Sequence, residues 1–452
     1  MSNLRQPTVL VIIGITGNLA RRKLLPAIER LAAAQQLPEH FRIVGISRRD
    51  VSARRVLDGL TKARGTTYPF LKNHLEMFRM DLDQADEYHR LRTHLDQLAA
   101  SFGGRTQRLF YLSVPAQSSL PIVEHLGAAG LSSGSAKLLP EKPFGSDLPS
   151  AKELITQIER HFAESRVYRI DHYLAKDMAQ NILVFRAGNS LLKHTWNKDF
   201  IERIEITAAE KIDIEGRATF YERTGALRDF VQSHLLQLAA LTLMELPPNL
   251  DNWKIVPRYR LAALESLMPP RGNDLDQHVT RGQYKGYADA VDNPDTQTET
   301  FVSLTLFSKD PRWQGVPIVL TTGKALHAKY TEICIHYRQD DCSEANQLIF
   351  RIQPKEGIEL SLWSKRPGLR RRLERVRLNF EYGAGADRLP DAYEQVLVDA
   401  IRSDHTLFTS GDEVLASWQI LAPIQQYWAK GGRPLIHYAP GTKPSAIIGV
   451  RD

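Results

Sequence analysis

Thr8-Val9-Leu10-Val11-Ile12-Ile13-Gly14-Ile15-Thr16-Gly17-Asn18-Leu19-Ala20 is the stretch that decides the fold class. Its first six residues form a continuous apolar run rich in β-branched side chains. Such a run reads as a strand buried on both faces, as in a parallel sheet. A glycine turn follows, and helical spacing takes over at Leu19, Leu24, Leu25, Ile28 and Leu31. Strand, glycine turn and helix together aim backbone N–H groups and a helix N-terminus at a pyrophosphate. The glycine spacing is GxxGxxA and not GxGxxG, so alone it also fits a plain tight turn. Phe41–Ser47 reads as a second strand and completes a βαβ unit.

The end of that second strand bears on the coenzyme. An NAD site usually places an acidic residue there for the ribose 2′-OH. Here the strand ends in Ser47-Arg48-Arg49. Two guanidinium groups suit a 2′-phosphate through bidentate, charge-assisted hydrogen bonds. NADP is therefore predicted, while Asp50 keeps NAD use open. The bland alternative is a solvated basic loop.

Further strands are expected at 76–80, at 108–114 (stopped by Pro115) and at 136–139, with a helix over 123–129. The last of these strands delivers Glu141-Lys142-Pro143-Phe144-Gly145. Ligands of doubly wound sheets bind beyond the carboxyl ends of the strands, which places Lys142 beside coenzyme and substrate. The Lys142–Pro143 bond is a candidate for the cis form.

Helical spacing over 150–162 and an extended stretch at 167–170 lead into Arg169-Ile170-Asp171-His172-Tyr173-Leu174-Ala175-Lys176. This segment gathers an acid, an imidazole, a phenol and two cations, and the pattern changes after it. Residues 201–210 alternate as a strand ending in Glu210. Thr224-Gly225-Ala226 introduces a helix with the apolar stripe Leu227, Phe230, Val231, Leu235, Leu238 and Leu241. His234 falls on that stripe. A buried imidazole must find a partner or bear its desolvation cost, so a lone histidine there is more often structural than catalytic. Asp171 is the candidate partner.

Strands over 301–307, 317–321, 332–337, 347–352 and 358–363 mostly lack intervening helices, which favours a large antiparallel sheet. Helices over 390–403 and 413–428 close the pattern. Lys324, Lys329 and Gln353 stand at strand ends as candidates for an anionic ligand. The expected architecture is an α/β Rossmann-type domain over 1–175 and an α+β domain over 176–452 with a large, mainly antiparallel sheet.

The bulk numbers agree with this reading. The chain has 452 residues, 42% apolar and 25% charged, ordinary for a soluble globular protein of two or three domains. No apolar run reaches the roughly 18–20 residues that span a bilayer, and residues 1–7 are too short and polar for a signal peptide. Cys334 and Cys342 stand eight apart without CxxC spacing, so neither a disulfide framework nor a zinc site is expected and a reducing cytoplasm is the default. The net charge of +7 suits a phosphorylated ligand. The basic run Arg370-Arg371-Arg372 lacks aromatic interleaving, which argues against nucleic acid.

In order along the chain stand residues 14–26 (GITGNLARRKLLP), 141–145 (EKPFG), 169–176 (RIDHYLAK), 225–236 (GALRDFVQSHLL), 281–284 (RGQY), 312–326 (RWQGVPIVLTTGKAL), 351–354 (RIQP) and 391–408 (DAYEQVLVDAIRSDHTLF). With these words the chain resembles the glucose-6-phosphate dehydrogenases over nearly its whole length. The resemblance implies oxidation of glucose 6-phosphate at C1 to the 1,5-lactone, with hydride transfer to NADP⁺. By position, His234 resembles the general base and Asp171 its orienting carboxylate. His172, Tyr173 and Lys176 resemble a phosphate grip. Lys142, Glu210 and Asp229 resemble sugar-hydroxyl ligands, and Lys23, Lys324, Lys329 and Gln353 further substrate-pocket residues. Gly14, Thr16, Gly17 and Leu19 match the dinucleotide turn, and Arg48 the 2′-phosphate contact. The resemblance also implies a homodimer or homotetramer. Departures from the family pattern are Asn18, Ala175, Pro115-Ala116 and Ala187. None touches the implied base or phosphate grip. Two readings compete: a dehydrogenase of a non-phosphorylated sugar, which has no use for the grip, and a catalytically dead NADP-binding scaffold, which has no use for the base.

Overall fold

The apolar runs of the first half pair side by side. In the computed structural model β1 (Thr8–Ile13), β2 (Phe41–Ser47), β3 (Leu75–Arg79), β4 (Gln107–Leu112) and β5 (Ala136–Pro140) form one parallel sheet in the order β3-β2-β1-β4-β5. The structure describes residues 6–249, 252–272, 274–339, 344–383, 385 and 388–449. Residues 1–5 of the N-terminal stretch and Cys342 lie outside them.

Strand β1 shows why its sequence has no polar alternation. Leu10 and Ile12 enter one buried cluster with Leu24, Leu25 and Ile28 of the first helix. Val9, Val11 and Ile13 enter another, with Tyr88, Leu91, Ile122 and Val123. Both faces of the sheet are covered, as the unbroken apolar run requires.

The chain divides into two compact units: Met1–Gly145, Pro149–Ala175 and Pro390–Gly411 form the first, and Ser146–Leu148, Lys176–Leu389 and Asp412–Asp452 the second. This differs from a single cut at 175, because Pro390–Gly411 returns to the first unit. Helix Ala392–Arg402 places Val396, Leu397 and Ile401 in the same cluster as Leu10 and Ile12. The tie is also polar. The buried ammonium of Lys137 donates to Gln107 Oε1 at 2.7 Å and to the carbonyl of Ala400 at 2.6 Å. A cation at the last carbonyls of a helix is electrostatically favoured, and burial pushes this ammonium down to about 8. The short strand β6 (Arg169–Ile170) follows in this unit.

In the second unit β7 (Ile201–Ala209), β8 (Leu267–Met268), β9 (Val279–Tyr284), β10 (Phe301–Ser308), β11 (Ile318–Gly323), β12 (Tyr330–Tyr337), β13 (Gln347–Gln353), β14 (Gly357–Lys365) and β15 (Leu373–Glu381) build the large sheet. Its order is β15-β14-β13-β12-β7-β11-β10-β9-β17, with β8 paired to β10 and β17 (Ile436–Tyr438) at the far edge. The sheet is mixed: β11 pairs parallel with β7, and β17 with β9. The remaining strand, β16 (Phe408–Thr409), pairs with β6 in the first unit.

Several local expectations are corrected. The helix read over 123–129 starts at Ala116 and carries Pro121 inside it. Thr224-Gly225-Ala226 does introduce a helical run, as expected, but through a kink: Gly225 has φ +66°, the preceding helix Ala218–Ala226 ends there, and Leu227–Leu235 and Leu236–Leu243 follow. Strands β9, β15 and β17 went unread. Among the described residues, no helix is long and apolar enough to cross a membrane.

Candidate active site

The glycine turn is fixed by close approach. Gly14 has φ +90°, and a Cβ there would lie 2.3 Å from the carbonyl oxygen of Ser113, beyond the end of β4. Only glycine fits this backbone. Gly14, Thr16, Gly17 and Arg48 line one cleft of about 440 Å³ together with Asp83, Ser113, Pro115 and Ser118. A second hollow of about 530 Å³, again reaching Thr16, is lined by Arg21, Arg49, Arg55 and Lys62. The first lies at the strand ends, where a doubly wound sheet takes a dinucleotide, and the second sets its four cations beside Asp50 and Asp58. Leu19 packs its side chain against the core, so its contribution to a ligand comes from its backbone. Arg55, Lys62 and Asp83 escaped the sequence reading because they lie on helices and loops away from the turn, and Arg21, one helical turn past Gly17, because it stands in a run of basic residues.

Beyond β5 the Lys142–Pro143 bond is cis. The Glu141 side chain accepts a 2.5 Å hydrogen bond from Tyr111 Oη and a second from Tyr393. Burial pushes this carboxyl up to about 7, against the opposing effects of the Tyr111 hydrogen bond and the Lys142 ammonium. The ring of Tyr393 also stacks with that of His172, 6.2 Å between centroids. Neither tyrosine was singled out in the sequence, since nothing local links them to Glu141. Asp171 is 2% exposed, and its Oδ1 accepts the backbone N–H of Tyr173 at 2.9 Å. The carboxylate is thereby held by its own turn. Tyr173 is buried and His172 half-buried. Lys23 pairs with Asp391 at 3.0 Å, next to the Tyr393 ring.

A carboxyl whose folded pKa lies above its unfolded value binds more protons when folded. Its stabilising effect is full below the unfolded pKa and is lost as pH rises through the folded one. For Glu141 that window runs from its ordinary value near 4.5 to about 7. Glu141→Gln keeps a neutral acceptor and removes the titration. The wild type is expected to lose stability relative to the variant as pH rises across this window, measured as the difference in urea midpoint. A constant difference would remove the titration from Glu141.

In the second unit, strand register gathers the remaining candidates. Gly323 of β11 and Tyr330 of β12 both lie opposite Ala209 of β7, and Thr331 lies opposite Gln353. Glu210, Lys324, Lys329 and Gln353 therefore stand at the same end of four adjacent strands. Lys324 is buried, ion-paired to Glu210, and 5.2 Å from the centre of the Tyr221 ring. Lys176 Nζ donates to Gln353 Oε1 at 2.5 Å, and Gln353 Nε2 donates to Thr331 Oγ1 at 3.0 Å. Lys329 is exposed in the turn before β12.

Asp229 and His234 ride on a π-helical segment, Leu227–Leu235, that packs on β7 and β11. Such i→i+5 turns are rare and concentrate at functional sites. His234 is 1% exposed, with the Phe230 ring edge-on at 5.3 Å. Glu299, also unread in the sequence, closes the start of this segment. Its Oε1 accepts from Leu227 N–H and its carbonyl from Ala226 N–H, both at 2.9 Å. A Cβ on Gly225 would lie 2.5 Å from that Oε1. An acidic group at a helix N-terminus is favoured by the backbone dipole, although burial still raises its pKa.

Residues 11–181 match the family "Glucose-6-phosphate dehydrogenase, NAD binding domain", and residues 183–448 match "Glucose-6-phosphate dehydrogenase, C-terminal domain". The chain is 35% identical to glucose-6-phosphate 1-dehydrogenase of Chlamydia muridarum, covering 94% of this chain and 91% of that one. It is 34% identical to the same enzyme of Bacillus subtilis, covering 100% and 98%. A solved glucose-6-phosphate dehydrogenase in complex with glucose 6-phosphate superposes with a TM-score of 0.91 at 29% identity, covering 99% of this chain and 98% of that one. Both family models together span nearly the whole chain, and this chain belongs to the glucose-6-phosphate dehydrogenases.

Proposed function

We propose that His234 is the general base of this chain's reaction and that Asp171 is its carboxylate. The reaction is the family's: oxidation of glucose 6-phosphate at C1 to the 1,5-lactone with NADP⁺. NADP⁺, when bound, supplies the hydride acceptor. Gly14, Thr16, Gly17 and Arg48 would hold it, and the space kept open by Gly14 is what fits them to that task. His234 takes the C1 hydroxyl proton, and Asp171 supports the imidazolium that results. The observation that carries this reading is the placement of His234. It is fully buried on a π-helical turn that packs on β7 and β11, the two strands that Glu210 and Lys324 directly follow.

His172, Tyr173 and Lys176 are assigned to the phosphate, which their donors and charge suit. Lys142, Glu210 and Asp229 are assigned to the sugar hydroxyls, with Lys23, Lys324, Lys329 and Gln353 around them. The test is coenzyme reduction measured with glucose 6-phosphate and with glucose in parallel. Turnover of the phosphorylated sugar alone is expected, and absence of turnover with both sinks the reading. Arg48→Ala is expected to raise KM for NADP⁺ by about 10-fold or more while changing KM for NAD⁺ little, since a charge-assisted contact to the 2′-phosphate is lost. Equal changes for both coenzymes would remove Arg48 from that role.

A reducing compartment, the cytoplasm, is assigned because Cys334 is a buried free thiol. Self-association into dimers or tetramers is assigned because Leu373, Leu378 and Phe380 of β15 expose large apolar side chains. Sedimentation at a monomer's mass over micromolar concentrations would overturn it.

A further inference from the structure

Away from the strand ends just described, the large sheet carries a second constellation of donor groups. Strands β7 and β12 are antiparallel, with Glu205 opposite Cys334 and Arg203 opposite His336. Residues two apart on a strand share a face, so Cys334 and His336 project to the side on which Glu205 lies. One oxygen, one sulfur and one nitrogen from these three residues all lie within 4.8 Å of one another. Glu205 Oε2 is 3.0 Å from His336 Nε2, while Arg203 takes the other oxygen at 3.2 Å. Gln347 of the neighbouring strand β13 meets His336 Nδ1 at 3.2 Å and is itself held by Arg375 at 2.6 Å. Cys334 and His336 are buried, and the Glu205 side chain is 35% exposed, so one side of the cluster opens to solvent.

We propose that Glu205, Cys334 and His336 form a binding site for one zinc-class divalent cation, completed by solvent. Thiolate, imidazole and carboxylate are the ligand types of zinc. A soft sulfur beside an imidazole selects against magnesium and calcium, which take oxygen. Tetrahedral zinc with bonds of roughly 2.0–2.3 Å sets its ligands roughly 3.3–3.7 Å apart. The Glu205–His336 pair at 3.0 Å must open slightly to reach that spacing, and all three donors already lie within 4.8 Å. The plain alternative is a Glu–His hydrogen bond beside an inert buried thiol. What favours a site is convergence: three chemically different donors meet at one point, and the outer side of the imidazole is already gripped by Gln347. A metal-bound histidine donates its second N–H, whereas here the Gln347 amide nitrogen faces Nδ1 and its oxygen accepts from Arg375. Binding through Nε2 therefore requires the Gln347 amide to turn its oxygen to Nδ1–H and Arg375 to release that oxygen. Cysteine spacing along the chain did not predict a zinc site, because the third ligand comes from a strand more than a hundred residues earlier. Neither Cys334 nor His336 belongs to the proposed catalytic machinery.

The test uses the whole chain, stripped of metal by a chelator and titrated with Co²⁺ and then Zn²⁺. One equivalent of Co²⁺ is expected to give a sulfur-to-cobalt charge-transfer band that Zn²⁺ displaces and excess Mg²⁺ does not. Cys334→Ser should abolish the band, and His336→Gln should weaken Co²⁺ binding by about 10²-fold. Gln347→Ala should weaken it by about 10-fold. All three variants should retain turnover of glucose 6-phosphate, which certifies their fold. Cys342→Ser should keep the band. No band in the wild type overturns the proposal, as does a band that survives Cys334→Ser or disappears with Cys342→Ser.

Discussion

His234→Asn is expected to lower kcat by about 10²–10⁴-fold while KM for glucose 6-phosphate changes by less than about threefold. That is the size of a general base's contribution, and its removal acts on the transition state more than on substrate binding. Asparagine is chosen because it fills similar space and keeps a donor and an acceptor. The buried position beside Phe230 then suffers little, and a loss of rate does not stand for a loss of fold. Asp171→Asn should give a smaller fall in kcat, because it leaves the base in place but withdraws support from its charged form. The two outcomes separate chemistry from packing. If His234 is a core residue only, the variant keeps kcat within a few-fold and loses thermal stability instead. That pattern would transfer the base to another residue.

Arg260→Met is expected to cost about 3–5 kcal/mol of stability, the largest effect we anticipate from any single change outside the site. Arg260 and Glu413 are both fully buried, with Nε to Oε1 at 2.8 Å and Nη2 to Oε2 at 3.3 Å. This two-point grip matches a planar guanidinium to a carboxylate. Removing one partner leaves a buried carboxylate without its guanidinium, which costs far more than the pair's net worth. The double variant Arg260→Met, Glu413→Leu should recover most of the loss, because an apolar pair of similar volume has no desolvation to offset. Urea unfolding followed by the fluorescence of the second unit's tryptophans checks both. Equal destabilisation of single and double variants would show that shape, not charge, is what the pair supplies.

The first unit was legible because its signals are local. Five consecutive apolar residues in β1, and Gly14 where a Cβ would strike Ser113, each announce themselves within a few positions. Strand β15 was less visible. Val376, Leu378 and Phe380 alternate with Arg375, Arg377 and Asn379, a usable period of two, but the neighbouring Arg370-Arg371-Arg372 drew the eye to charge. The π-helical turn under His234 leaves no trace in residue type, since i→i+4 and i→i+5 bonding use the same side chains. Tyr111, Tyr393 and Glu141 were beyond reach for another reason. Their association spans most of the chain and depends on where a distant helix docks.

Docking of that helix bears on the order in which the protein can be made. A ribosome releases the parallel sheet early, yet one of its faces waits for Tyr393, Val396, Leu397, Ile401 and Phe408, which emerge only after most of the second unit. Until then Lys137 lacks the Ala400 carbonyl that accepts its hydrogen bond, and Leu10 and Ile12 face incomplete cover. Domains usually mature during synthesis in the order they emerge. Here the nascent coenzyme unit must remain unfinished through the elongation of its neighbour, exposing an apolar sheet face to chaperones for that interval.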